Sequence, residues 1–342
     1  MFIHKLPERT PWLLSVVSTS IFSFLCLTLS SAAQKRAAEG KYSDWQPAVN
    51  LGCGTINSSS DDFGPGISKD GLSLYLSSNR GGNSDIYVAR RQSTGEPWGP
   101  PQNLGPTINS RAIENNPTFS RDGHWMFFNS NRQGSLGDLD LWGSYREQVH
   151  DDFAWQPPFN LGSGVNTKEF DAGASFFENE DGRAPLLFFG HGTSGQTQGT
   201  TTDIWVSELL PDGTFGNARL VPELNSPTGD QRPSIRFDGR EIFFFSPRPG
   251  SMLTAAGSPS FDIWVATRDS VDDPWDTPVP LDEAVNSPFT EANPQISADG
   301  LTLYFGSTRP TFDADGRQVS DCGGFDLYMS TRTKLKGKDR QD

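Results

Sequence analysis

Apolar positions in this chain fall into short runs. Leu72–Leu76, Trp125–Phe128, Leu186–Phe189, Ile242–Phe245 and Leu301–Phe305 each follow an Asp-Gly pair, at Asp70-Gly71, Asp122-Gly123, Asp181-Gly182, Asp238-Gly239 and Asp299-Gly300. Runs this short, bounded by turn residues, predict strands and not helices. Asp-Gly between two apolar runs predicts a hairpin, because a tight turn needs residues that tolerate positive φ. A second run then opens with Asp: Asp85-Ile86-Tyr87-Val88, Asp140-Leu141-Trp142, Asp203-Ile204-Trp205-Val206, Asp262-Ile263-Trp264-Val265 and Asp326-Leu327-Tyr328-Met329. An Asn-Leu-Gly segment follows, as at Asn103-Leu104-Gly105 and Asn160-Leu161-Gly162.

Counting the stretch before each turn, such as Pro117-Thr118-Phe119-Ser120, every unit holds four strands, A to D. The Asp-Gly turns are spaced 52, 59, 57 and 61 residues apart. Four-stranded units at this period predict propeller blades. Trp45–Gly52 matches the D segment Trp155–Gly162, whereas the last unit runs out after its C strand, near Arg332. The N-terminal strand therefore completes blade five and removes the open edge. The expectation is an all-β chain: one five-bladed β-propeller over 41–332, four antiparallel strands per blade. Cys53 follows the closing D strand, and Cys322 precedes the C strand beside it. A Cys53–Cys322 disulfide is expected, with two free thiols as the alternative.

Composition agrees. The 35 Gly and 25 Pro are too many breakers for a helical protein, while 24 Phe, 9 Trp and 6 Tyr supply a large core. A net charge of −14 excludes nucleic acid as a natural partner, since phosphate binding needs a basic surface. The basic run Lys334, Lys336, Lys338 and Arg340 reads as a solvated tail over 333–342. At the other end, Lys5 and Arg9 precede the apolar stretch Trp12–Leu29, and Ser31-Ala32-Ala33 offers small residues for cleavage. This reads as a signal peptide over 1–33, an uncleaved anchor being the alternative. A periplasmic or secreted monomer with no membrane span after cleavage follows.

The unit Ser68-Lys69-Asp70-Gly71, Ser77-Ser78-Asn79-Arg80-Gly81-Gly82, Asp85-Ile86-Tyr87-Val88-Ala89 resembles the TolB-type, WD40-like (PD40) β-propeller repeat. Blade two repeats it with Asp122-Gly123, Ser130-Asn131-Arg132 and Asp140, and blade five with Asp299-Gly300, Ser307-Thr308-Arg309 and Asp326. Blade four keeps Asp238-Gly239, Arg248 and Asp262. Blade three departs most, with His191 read at the place of the arginine. The resemblance implies a propeller of the kind found in exported partner-binding proteins and beside peptidase domains.

Within each B–C hairpin, Arg80 and Asp85, Arg132 and Asp140, Arg248 and Asp262, and Arg309 and Asp326 are expected to pair structurally. Asp62, Glu114, Asp171 (or Glu169), Asp230 and Glu291 lie three places before the repeat proline, or its equivalent, and are expected to ring the channel mouth. They are open to three readings: caps for backbone N–H groups, a site for a cation or basic peptide, or a catalytic carboxylate set. His124, His150 and His191 lack metal-ligand spacing, and no cofactor motif is present, so neither metal nor cofactor is expected. B–C loops lengthen from four residues in blade one to thirteen and sixteen in blades four and five. The sequence favours a non-enzymatic scaffold binding a protein or peptide through this long-loop face. The alternative is a carbohydrate-binding or glycoside-cleaving propeller using the channel-mouth carboxylates.

Overall fold

The structure, a computed structural model, describes residues 42–192, 202–312, 315–319 and 322–335. The expected signal peptide and most of the expected basic tail lie outside the described residues. The chain divides into two units, Asp44–Lys334 and a second that joins Met1–Ser43 to Leu335–Asp342. Only Tyr42, Ser43 and Leu335 of the second are among the described residues.

Asp44–Lys334 is a five-bladed propeller of five four-stranded antiparallel sheets. Blade one is β2 (Asp62–Ile67), β3 (Ser73–Ser78), β4 (Asp85–Arg90) and β5 (Gln102–Asn103). Blade two is β6 (Glu114–Phe119), β7 (Trp125–Ser130), β8 (Asp140–Tyr145) and β9 (Phe159–Asn160). Blade three is β10 (Phe170–Phe177), β11 (Leu186–Gly192), β12 (Thr202–Glu208) and β13 (Arg219–Leu220). Blade four is β14 (Gln231–Ile235), β15 (Glu241–Ser246), β16 (Asp262–Thr267) and β17 (Val279–Pro280). Blade five is β18 (Glu291–Ile296), β19 (Thr302–Ser307) and β20 (Asp326–Thr331), closed by β1 (Val49–Asn50). Val49 pairs with Met329 and Asn50 with Tyr328. Cys53 and Cys322 are disulfide-bonded beside this closure, with Cα atoms 5.0 Å apart.

The B strands are apolar on both sides because each is sandwiched between two neighbouring blades. Phe243 packs with Phe305 and Tyr328 toward blade five, whereas the adjacent Phe244 packs with Ile204 and Phe188 toward blade three. The five apolar clusters of the core correspond to the five blade interfaces. This is why the runs read as continuous and not alternating.

The innermost strands share one distortion. Pairing of A with B shifts register near the start of each A strand, between Phe63 and Gly66, Asn115 and Thr118, Ala172 and Ser175, Gln231 and Ser234, and Ala292 and Gln295. The first residue inside each shift has positive φ: Gly64, Asn116, Gly173, Arg232 and Asn293, at 51° to 70°. In blades two to five, a backbone N–H of this distorted strand donates to a side chain of the preceding blade. Asn116 N donates to Ser77 Oγ at 2.8 Å, and Gly173 N to Asn129 Oδ1 at 2.8 Å. Ile235 N and Ile296 N donate likewise to Ser175 Oγ and Ser234 Oγ, each at 3.0 Å.

Four blades carry a second fastening, where the C–D connection meets the Asp-Gly turn. Arg91, Arg146, Arg268 and Arg332 donate through Nε to the carbonyls of Gly71, Gly123, Gly239 and Gly300 at 2.6–2.9 Å. Their guanidinium groups lie 4.1–4.6 Å from the rings of Trp98, Trp155, Trp275 and Trp45. These tryptophans therefore pack and do not form a sugar platform. Blade three has Phe215 at the equivalent place, buried against Phe127.

Candidate functional site

Each connection from a D strand to the next A strand reads Asn, then Ser or Thr, three residues, and an acid. The five copies are Asn57-Ser58…Asp62, Asn109-Ser110…Glu114, Asn166-Thr167…Asp171, Asn225-Ser226…Asp230 and Asn286-Ser287…Glu291. The asparagine stands in for a missing strand residue. It accepts from the backbone N–H and donates to the C=O of Leu327, Ile86, Leu141, Ile204 and Ile263 respectively, at 2.7–3.0 Å. The acid five places on accepts from the backbone N–H of the Ser or Thr at 2.5–2.7 Å. Sequence reading missed this motif, although it recurs without exception.

All five acids are fully buried. Four are also held by arginine: Arg80–Asp62 at 2.5 Å, Arg132–Glu114 at 3.0 Å, Arg309–Glu291 at 2.9 Å, and Arg248–Asp230. The same guanidinium groups donate to the carbonyls of Ile56, Ile108, Val285 and Leu224. This corrects the expected pairing of Arg80, Arg132, Arg248 and Arg309 with Asp85, Asp140, Asp262 and Asp326. Both acids flank the end of strand B; in blade one, Ser78 pairs with Asp62 on one side and Asp85 on the other. Asp140 and Asp262 are as buried; what favours the A-strand acid is that the guanidinium reaches it and a carbonyl of the D–A connection together.

The C-strand aspartates organise the B–C loops instead. Asp140 accepts from the N–H groups of Leu136 and Gly137 at 2.7 and 3.0 Å, and Asp262 from Met252 N at 2.7 Å. Asp85 accepts from Asn103 Nδ2 at 2.8 Å, and Asp326 from Gly323 N at 3.3 Å. Burial raises the pKa of Asp85 and Asp262 above the usual carboxylate range. Asp326, desolvated and facing the charges of Asp62 and Asp61, is pushed up to about 6.

Blade three breaks the pattern. His191 pairs with Asp171 across the A–B ladder and with Asp203 across the B–C ladder. It therefore occupies the place of Ser78, Ser130, Ser246 and Ser307, two residues before the arginine place to which the sequence assigned it. The arginine place falls on Thr193, outside the described residues. His191 Nδ1 lies 2.7 Å from the Asp171 carboxylate, and the ring is one-quarter exposed. Its pKa is raised, chiefly by that hydrogen bond and further by the charges of Asp171, Glu169 and Asp203. Asp203 is itself raised, by burial and by Asp230. The Trp205 indole stands edge-on to the imidazole at 5.1 Å, and its Nε1 has no partner. Four of the five buried acids are thus paired with permanent cations, and the fifth with a titratable one.

A pH dependence follows. The folded state binds the His191 proton more tightly than the unfolded chain does. Its stabilisation is complete below the unfolded value of about 6.5 and fades as pH rises through the folded value. Thermal unfolding of wild type and His191→Ala across this range should show the largest gap at the acidic end. A gap independent of pH would refute the assignment.

Loops of the same face expose apolar side chains: Leu136, Leu253, Phe289 and Phe312, the last two 43% and 57% exposed. The long loops of blades four and five each form a small bridge of their own, Leu253 to Pro259 and Phe312 to Gln318. Among the described residues no helix is long and apolar enough to cross a membrane.

No family model and no curated protein matches the chain, so the resemblance to TolB-type repeats stands on its motifs alone. Solved structures do match. The catalytic domain of Coprinopsis cinerea GH62 α-L-arabinofuranosidase is 10% identical with a TM-score of 0.54, over 85% of this chain and 97% of that one. An α-L-arabinofuranosidase from Lactobacillus brevis is 11% identical at 0.52, over 84% and 94%. The GH43 endo-arabinanase from Bacillus licheniformis is 15% identical at 0.53, over 84% and 97%. At these identities the likeness establishes the fold. Glycoside hydrolases predominate among these matches, which overturns the expected protein- or peptide-binding scaffold, and no feature of the long-loop face among the described residues identifies such a partner.

Proposed function

We propose that this chain is a carbohydrate-acting five-bladed propeller that binds or cleaves a glycan at the blade-three side of the channel mouth. The observation that carries the reading is the break in fivefold equivalence at His191. A repeat keeps structural residues alike in every blade, whereas a site needs one blade to differ. The names of the solved relatives, arabinofuranosidases and an endo-arabinanase, support the substrate class.

The residues fit the chemistry. Glycoside cleavage needs one carboxyl that keeps its proton and one negative group near the forming oxocarbenium ion. Asp203, with its raised pKa, suits the proton donor to the departing oxygen. Glu169, part-exposed and close enough to act on His191, supplies the negative charge, and the buried Asp171 holds the His191 ring in place. Phe289 and Phe312 offer exposed rings for stacking on sugar faces. The other four mouth acids are fastened to arginine and backbone, and have no part in it. We also propose export, with 1–33 removed, 41–332 forming the propeller and 333–342 a tail; the disulfide supports an oxidising compartment.

The test is a glycan array together with hydrolysis assays on arabinan and xylan oligosaccharides. Wild type should bind or cleave at least one pentose-containing glycan. Asp203→Asn should lower turnover about 10²- to 10⁴-fold with unchanged melting, the cost of losing a general acid. Absence of both binding and turnover across the array would overturn the proposal.

A further inference from the structure

The central channel is closed down by the five bulges to a cavity of about 20 Å³, lined by the A strands of all five blades. That is room for one water-sized body. Among its lining residues is one full charge, Arg232. Its side chain is more than nine-tenths buried, and its Nε and Nη1 have no partner. No carboxylate lines the cavity. Asn293, also in the lining, carries an unpaired acceptor, its Oδ1.

Three costs coincide at Arg232. A buried charge without a counter-charge costs several kcal/mol. Its φ of 51° is a left-handed conformation that favours Gly and Asn, which hold the other four equivalent places. Its stem lies over Gly173, where an added Cβ would stand 2.6 Å from Arg232 Cγ, so the neighbouring blade is cut away to admit it. Burial alone lowers its pKa to about 10, which leaves the guanidinium charged at neutral pH. A water molecule would satisfy donors and leave the charge uncompensated. An anion does both, and the small volume favours a compact one.

We infer that the central channel is a binding site for one chloride-sized monovalent anion, held by the Nε and Nη1 donors of the Arg232 guanidinium. The site does not depend on the glycan reading.

Anything that binds only the folded state raises its melting temperature in a saturable way. At constant ionic strength, exchanging gluconate for chloride should raise wild-type Tm by about 5 °C at saturation. Arg232→Met should show no such dependence. A wild-type Tm indifferent to chloride, or an equal response in Arg232→Met, would overturn the inference. Bromide offers a readout that needs no variant. Crystals of wild type grown in bromide should show an anomalous peak within about 3.5 Å of the guanidinium, and an empty channel would refute the site.

Discussion

Arg248→Met should lower the unfolding free energy by about 3 to 5 kcal/mol, the cost of stranding one member of a buried ion pair. Arg248 is buried, its partner Asp230 is wholly so, and its guanidinium also caps the Leu224 carbonyl. The group lies 4.8 Å from the Phe244 ring and 5.1 Å from that of Trp264, so its stem is core as much as charge. Methionine keeps most of that packing and isolates the electrostatic part. Pairing it with Asp230→Asn removes the stranded charge and should recover a good share of the loss. Urea unfolding of the two single variants and the double variant checks this. A loss below about 1 kcal/mol in Arg248→Met would mean that the pair is no more than a surface salt bridge.

Cys322→Ser should cost about 4 kcal/mol, because the bond closes a loop of 269 residues. β1 offers two paired residues, supplemented by Gln46 N donating to Thr331 O at 2.8 Å. Guanidinium unfolding with and without reductant is the measurement. Wild type should fall to the stability of the variant on reduction, and the variant should not respond. A wild type unmoved by reductant would show that strand pairing alone closes the ring.

Most of the architecture is legible in the sequence because each blade must turn at the same points. Asp-Gly between apolar runs announces the A–B hairpins, and the displaced copy of the D segment at Trp45–Gly52 reveals both the blade count and the cysteine bond. Side-chain partnership is not legible in the same way. Asp62 and Asp85 stand on either side of Ser78, and the choice rests on a second acceptor, the Ile56 carbonyl, that only the fold brings within reach of Arg80 along with Asp62. The Asn-Ser/Thr motif was available in the sequence, but its meaning is a backbone hydrogen-bond pattern spanning two blades. His191 was visible as an anomaly, and its place in the ladder required the register. Arg232 gave no signal, since a charged residue beside Pro233 reads as surface until the bulge turns it into the channel.

The seam in blade five has a topological consequence. β1 and β20 are neighbours in one sheet, with Gln46 and Thr331 hydrogen-bonded across it, so the start and finish of the ring lie side by side. A short peptide joining them, with new termini opened at any exposed Asp-Gly turn, would preserve every inter-blade contact. Circular permutants thus place the cut in each blade in turn. They would separate what the closing strand contributes from what the covalent order of the blades contributes.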